Sequence, residues 1–66
     1  MRTFRVLVRH AGLAAPSLHL VQTREEAVAR AIADVLLRDT PDAVGVEVWD
    51  GERRIYARGE SDGPSS

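Results

Sequence analysis

Apolar residues recur at every second position in two early segments of the chain. Phe4, Val6 and Val8 are separated by mostly polar residues, and a period of two over several residues predicts a half-buried strand. The segment AGLAAPS contains a glycine and a proline and predicts a loop. Leu18 and Leu20 then alternate with a histidine, which predicts a short second strand. We expect these five apolar side chains to face the core.

The segment TREE, residues 23–26, predicts the start of a helix. The Thr23 hydroxyl can cap the helix while Glu26 reaches back to the Thr23 backbone amide. Charged residues at a spacing of four, beginning with Glu26 and Arg30, predict ion pairs on the solvent side. Pro41 ends the helix. Apolar residues at helical spacing predict one stripe facing the core, made of Ala27, Val28, Ala31, Ile32, Val35 and Leu36.

A hairpin is predicted in the last third of the chain. Alternating valines up to position 48 are followed by Asp-Gly at 50–51 and a second alternating run. Asp-Gly between such runs favours a two-residue type I′ turn. That turn places Glu47 opposite Arg54 and Tyr56 across Gly45, with valines opposite Ile55 and Ala57 on the other face.

The predicted order of elements is strand, strand, helix, strand, strand. The simplest architecture for this order is an α+β fold, in which one amphipathic helix packs on one face of an antiparallel four-stranded sheet. The order of the strands within the sheet stays open. We expect one domain over residues 1–58 and a disordered polar tail over residues 59–66.

One helix covers one face of such a sheet, and we call the other side the open face. Its predicted residues combine two aromatic side chains with arginines and a single carboxylate. Residue types of this kind are enriched in protein–protein interfaces. The candidate interface residues are Arg5, Leu7, Arg9, Glu47, Trp49, Arg54, Tyr56 and Arg58.

Three interpretations of the open face follow from these residues. The first is a protein interface, either with a second copy of the chain or with another small protein. The second is a surface for single-stranded nucleic acid, on which aromatic rings stack bases and arginines hold phosphates. The third is ordinary solvated strand surface, because aromatic and β-branched residues are common in strands whatever the function. We favour the protein interface and the homodimer.

The composition of the chain indicates how so small a domain can be stabilised and where the protein is expected. The chain has 66 residues, a net charge of −1, nine arginines, no lysine and no cysteine. A domain this small commonly gains stability from disulfides, from bound metal ions or from association with another chain. Because the chain has no cysteine, self-association is the most available source of extra stability. The N-terminal segment matches neither a signal peptide nor a membrane span, so we expect a cytoplasmic protein without membrane contact.

Nothing in the sequence points to catalysis. There is no glycine-rich phosphate loop, no metal-ligand spacing and no nucleophile motif around any serine. The two histidines, His10 and His19, stand nine residues apart without further ligands nearby. We therefore expect a protein that is not an enzyme, with no cofactor, no metal and no small-molecule substrate.

The hairpin segment VEVWDGERRIYAR, with the strand TFRVLVR and the helix TREEAVARA, resembles short uncharacterised bacterial proteins common in proteobacteria. The similarity covers roughly residues 3–58, and those families are domains of unknown function. The resemblance implies a fold of the same β-β-α-β-β order and no activity.

The opening of the helix, TREE, is also similar to that of small antitoxin-like domains, in which a sheet-and-helix unit holds a toxin. This chain departs from that pattern because it ends in a hairpin and has no appended DNA-binding segment. That resemblance implies a small basic protein partner, as an alternative to the homodimer.

Overall fold

The structure is a computed structural model that describes residues 1–59, in which four strands and one helix form an α+β fold. The predicted order β-β-α-β-β and the antiparallel sheet are confirmed, and the strands lie in the order β2-β1-β3-β4. The predicted tail lies outside the described residues except for its first residue, which ends β4. The elements are β1 (Arg2–His10), β2 (Ser17–Thr23), α1 (Glu26–Asp39), β3 (Ala43–Asp50) and β4 (Arg53–Gly59).

The core lies between the two central strands and the helix. The predicted inward positions of β1 are confirmed, because Phe4, Val6 and Val8 are buried. In β3, Val46 and Val48 are buried beside them, and Val48 lies directly opposite Val6. These five side chains are the largest that are removed from water, so the core depends on few residues.

The prediction for β2 was wrong about which face each side chain occupies. Phe4 lies opposite Val21 and Val6 opposite His19, and directly paired residues share a face. Val21 therefore packs against the core. Leu18 and Leu20 point to the opposite side and are 56% and 64% exposed. The pattern Leu-His-Leu-Val fits either face, and pairing with β1 decided between them.

The predicted register of the hairpin was also wrong. Asp50 pairs with Arg53, so the loop is Gly51 and Glu52 instead of Asp50 and Gly51. Gly51 has a φ of 66°, and Glu52 does not have a positive φ. A positive φ at the first loop residue alone is typical of a type II′ turn, which favours glycine there.

A β-bulge shifts the register once more just beyond the turn. Trp49 lies opposite Arg54, yet Val48 lies opposite Tyr56, so Ile55 is the extra residue. An extra residue on one strand reverses the faces of the residues that follow it. Tyr56 therefore shares the helix-covered face with Val48.

The helix begins and ends near the predicted positions, although its start is formed differently. The residue before the first helical residue is Glu25, whose side chain makes no capping hydrogen bond. The Thr23 hydroxyl accepts a hydrogen bond from the Glu25 amide at 3.1 Å, so it caps a turn before the helix. At the other end the Thr40 amide donates to the Leu36 carbonyl, and Pro41 follows.

The buried side of the helix is rotated from the predicted stripe, of which Leu36 packs against the core. Ala29 and Ala33 are the helix residues that are buried in the core. Val28 and Val35, predicted to face the sheet, are 40% and 41% exposed. Small side chains at the contact allow the helix backbone to lie close to the large side chains of β1 and β3.

Within residues 1–59, the helix is too short and too polar to cross a membrane.

Candidate functional site

The open face is built from two rows of side chains that run across all four strands. The strand pairings place Leu7 beside Leu18 on one side and beside Glu47 on the other. In the next row, Arg5 lies between Leu20 and Trp49. Six of the eight predicted residues lie on this face, and these are Arg5, Leu7, Arg9, Glu47, Trp49 and Arg54.

Leucine side chains form the apolar half of the open face. Leu7 of β1 and Leu18 of β2 are directly opposite each other, and Leu20 stands two residues along the same strand. Leu18 and Leu20 are the two most exposed leucines in the sheet. The prediction missed both leucines. The signal that identifies them is that Val21, and not Leu20, can lie opposite the buried Phe4.

Trp49 is held by two neighbouring side chains on the open face, Glu47 and Arg5. Its indole Nε1 donates to Glu47 Oε1 at 3.0 Å. The guanidinium carbon of Arg5 lies 5.7 Å from the centre of its ring, within the range of a cation–π contact. Arg5 also donates to the carbonyl of Gly51. Arg5 therefore connects the turn at Gly51 to the indole ring of Trp49.

Glu47 supplies the carboxylate at the centre of this face. Its Oε2 lies 3.5 Å from Arg54 Nη1, while its Oε1 accepts from Trp49. The Glu47 side chain is only 15% exposed. The predicted pairing of Glu47 with Arg54 is therefore present as an ion pair, although Ala57 stands directly opposite Glu47 in the sheet.

Tyr56 and Arg58 do not lie on the open face, which corrects the prediction for both. The Tyr56 hydroxyl donates to Asp34 Oδ1 at 2.7 Å, and Arg58 Nη1 lies 3.4 Å from Asp34 Oδ2. The hydrogen bond with Tyr56, and then the charge of Asp34, raise the pKa of the Arg58 guanidinium. Arg30 adds a cation–π contact 5.6 Å from the Tyr56 ring centre. These groups join β4 to the helix.

A second cluster of polar side chains lies where β1 ends and β2 begins. His10 Nε2 lies 2.7 Å from Ser17 Oγ, and His10 Nδ1 lies 3.2 Å from Asp42 Oδ1. Sequence reasoning missed this contact because the three residues come from separate segments. The order hydroxyl, imidazole, carboxylate is that of a serine hydrolase. Residues 1–59 nevertheless enclose no cavity beside it.

The cluster connects three segments of the chain. His10 is only 13% exposed, and its contacts reach the first residue of β2 and the loop before β3. The Ala11 amide donates to the Asp42 carbonyl at 2.8 Å in the same region. Among the described residues, no three His, Asp or Glu side chains lie close enough together to hold a metal ion.

Comparison with models of protein families, with curated proteins and with solved structures gave no match. The resemblance to uncharacterised bacterial proteins and to antitoxin-like domains therefore stays a prediction.

Proposed function

We propose that this protein is a non-enzymatic association module whose open face binds a second copy of the same chain. The observation that carries the proposal is the exchange of residues on that face. Leu18 and Leu20 of β2 lie on the open face, whereas Tyr56 and Arg58 of β4, at the other edge of the sheet, were predicted there and lie on the opposite side. The exchange makes the face less basic and more apolar, which favours a protein partner over a phosphate backbone.

The charges of the open face support a second copy as the partner. A two-fold contact presents the same patch from both sides, so an uncompensated charge near the axis meets the same charge of the other copy. Here Glu47 and Arg54 pair with each other, and Arg5 is held by the Trp49 ring and the Gly51 carbonyl. The Glu47–Arg54 pair can face an identical surface without requiring opposite charges there, while the Trp49 ring and the Gly51 carbonyl orient Arg5 without neutralising its charge.

The apolar area is large enough for such a contact to matter. Burying a leucine side chain fully contributes about 1.5–3 kcal/mol. Leu7, Leu18 and Leu20 come from both copies in a two-fold dimer, but Leu7 is already half-buried and Leu18 and Leu20 are 56% and 64% exposed, so the six side chains together gain roughly half of the full amount. This gain is of the same order as the cost of association, about 4–15 kcal/mol.

Binding of single-stranded nucleic acid has less support from the geometry. Trp49 is the only aromatic side chain on the open face within residues 1–59, and Arg5 lies over its ring. Sheets that bind RNA stack two or three bases on several exposed aromatic rings.

If the chain is antitoxin-like, the open face would bind a small protein of a different sequence instead of a second copy. The proposed setting is the cytoplasm, with which a chain without cysteine is compatible.

Replacing Leu7 with lysine tests the proposed interface. We expect Leu7→Lys to lower the molar mass measured by light scattering on a sizing column, because two added charges would be buried in the contact. Leu7 lies on an inner strand, so the change leaves both sheet edges intact. Val35→Lys is the matched control, since it adds the same charge to an exposed apolar position on the helix.

The two variants separate a specific contact from a general effect of charge. Circular dichroism shows whether each variant is folded before its mass is compared. Pairing through the open face is contradicted if the wild type is a monomer at high concentration. It is also contradicted if the wild type and a folded Leu7→Lys variant have equal molar masses. Retention of single-stranded RNA on the wild-type protein, lost in Arg54→Glu, would favour the nucleic-acid alternative instead.

The non-enzymatic part of the proposal concerns Ser17. A nucleophilic serine also needs donors for the developing oxyanion and a concave site for the substrate. We expect the protein to hydrolyse p-nitrophenyl acetate no faster than the same concentration of free imidazole, with Ser17→Ala equal to wild type. Saturable hydrolysis that disappears in both Ser17→Ala and His10→Ala would show instead that the cluster is catalytic.

A further inference from the structure

The sheet has two edges, and they differ in how they are protected against pairing. An edge strand exposes a row of backbone donors and acceptors, and proteins commonly protect it with charges or a bulge. The β4 edge is protected by both charges and a bulge. It carries Arg53, Arg54 and Arg58, and the bulge at Ile55 interrupts its register.

The β2 edge has neither protective charges nor a bulge. Its sequence, SLHLVQT, contains no acidic residue, no arginine and no proline. All seven of its residues pair with β1 without interruption, so the strand is regular from Ser17 to Thr23. Three consecutive residues near its centre, Leu18, His19 and Leu20, are exposed. A neutral, regular and apolar edge is a template for another strand.

We infer that β2 pairs antiparallel with β2 of a second copy, across a two-fold axis that passes beside Leu20. This contact uses a strand edge, so it does not rest on the proposed pairing of the open faces. Pairing of β2 with β4 of another copy would be head-to-tail and would leave free edges for further copies. The arginines and the bulge of β4 disfavour that arrangement. Pairing of β2 with itself closes after two chains.

The register centred on Leu20 is the one that uses the whole strand. It places Leu20 opposite Leu20 of the partner subunit, and the seven residues of each strand pair along their full length. His19 then faces a valine and Leu18 faces a glutamine, so no like charges meet across the pair. A shift by two positions would extend the pairing onto Pro16 or Arg24 at its ends. The product is an eight-stranded sheet with both helices on one side.

A single cysteine at position 20 tests this register directly. The chain has no cysteine of its own, so any disulfide must join the two introduced residues. Directly paired residues in antiparallel strands have Cα atoms about 4.5–5.5 Å apart, which suits a disulfide. We expect Leu20→Cys to form a covalent dimer in a mixture of reduced and oxidised glutathione, at least tenfold more than the control.

Leu18→Cys is the matched control, because residue 18 has the same residue type, face and strand and a similar exposure. In the proposed register the two copies of residue 18 are about 14 Å apart along the strands, which is too far for a disulfide. Equal crosslinking of the two variants, crosslinking of Leu18→Cys alone, or no crosslinking of either would overturn the inference.

The double variant Leu7→Lys/Leu20→Cys separates the edge contact from the open face. Persistent crosslinking in this variant supports the edge contact even if the open face binds nothing. Loss of crosslinking on adding Leu7→Lys would overturn the edge as an independent contact. The axis of the edge pair is perpendicular to the sheet, and that of a face-to-face pair lies parallel to it. If both contacts form, the closed assembly is therefore a tetramer, which Leu7→Lys reduces to a dimer.

Discussion

Replacing Phe4 with alanine is expected to lower the free energy of unfolding by about 3–5 kcal/mol, because the substitution leaves a cavity that the core cannot fill. Phe4 is fully buried and is the largest side chain of the core. A domain of 66 residues has a total stability of roughly 3–10 kcal/mol. The variant should therefore be largely unfolded under conditions in which the wild type is folded.

Urea denaturation followed by circular dichroism measures this loss, at one fixed protein concentration because association adds stability. Phe4→Leu is the control, since leucine refills most of the volume and should retain most of the stability. The guanidinium carbon of Arg2 lies 5.0 Å from the Phe4 ring centre, and both variants lose that contact equally. A Phe4→Ala variant within about 1 kcal/mol of wild type would place Phe4 outside the core.

Replacing Ala33 with leucine is expected to destabilise the protein by about 1–3 kcal/mol, because three extra carbon atoms enter a contact that is already filled. Ala33 and Ala29 are fully buried in the same cluster as Phe4 and Val48. The added side chain would push the helix away from the sheet and loosen the packing of the central strands.

Ala31→Leu distinguishes this effect from a change in helix propensity. Ala31 is exposed in the same helix, and the intrinsic preference changes equally in the two variants. We expect Ala31→Leu to stay within about 0.5 kcal/mol of wild type. Thermal unfolding compares the two. The reverse ranking would mean that the helix packs through the predicted stripe of Ala31, Val28 and Val35, and the observed helix face would then be wrong.

The candidate site was predictable from the sequence only in part. Residues on the inner strands β1 and β3, such as Leu7 and Trp49, were placed on the correct side because their neighbours Val6 and Val48 leave no other choice. On the edge strands Arg54 was also placed correctly, but Tyr56 of the same strand and the leucines of β2 were not. Leu18 and Leu20 were assigned to the core, while Tyr56 was assigned to the open face, and the structure reverses both assignments.

The helix was predictable in position and not in orientation. Its bounds follow from local signals, and Pro41 prevents it from continuing. Apolar residues are so frequent between Ala27 and Leu37 that they occupy more than one side of the helix. The buried side was decided by fit to the sheet, where alanines allow close approach and valines do not.

What the sequence by itself determined about this protein is therefore the kind and order of its elements, because alternation, helical spacing and chain-breaking residues act over a few neighbours. The tertiary structure alone decided that Leu18 and Leu20 join the open face and that Tyr56 and Arg58 leave it. In a strand the side chain at each next position points the other way, so one bulge at Ile55 moved Tyr56 from one face to the other. Likewise, because Val21 pairs with Phe4, its neighbour Leu20 points outward. Both outcomes depend on residues that are distant in the chain.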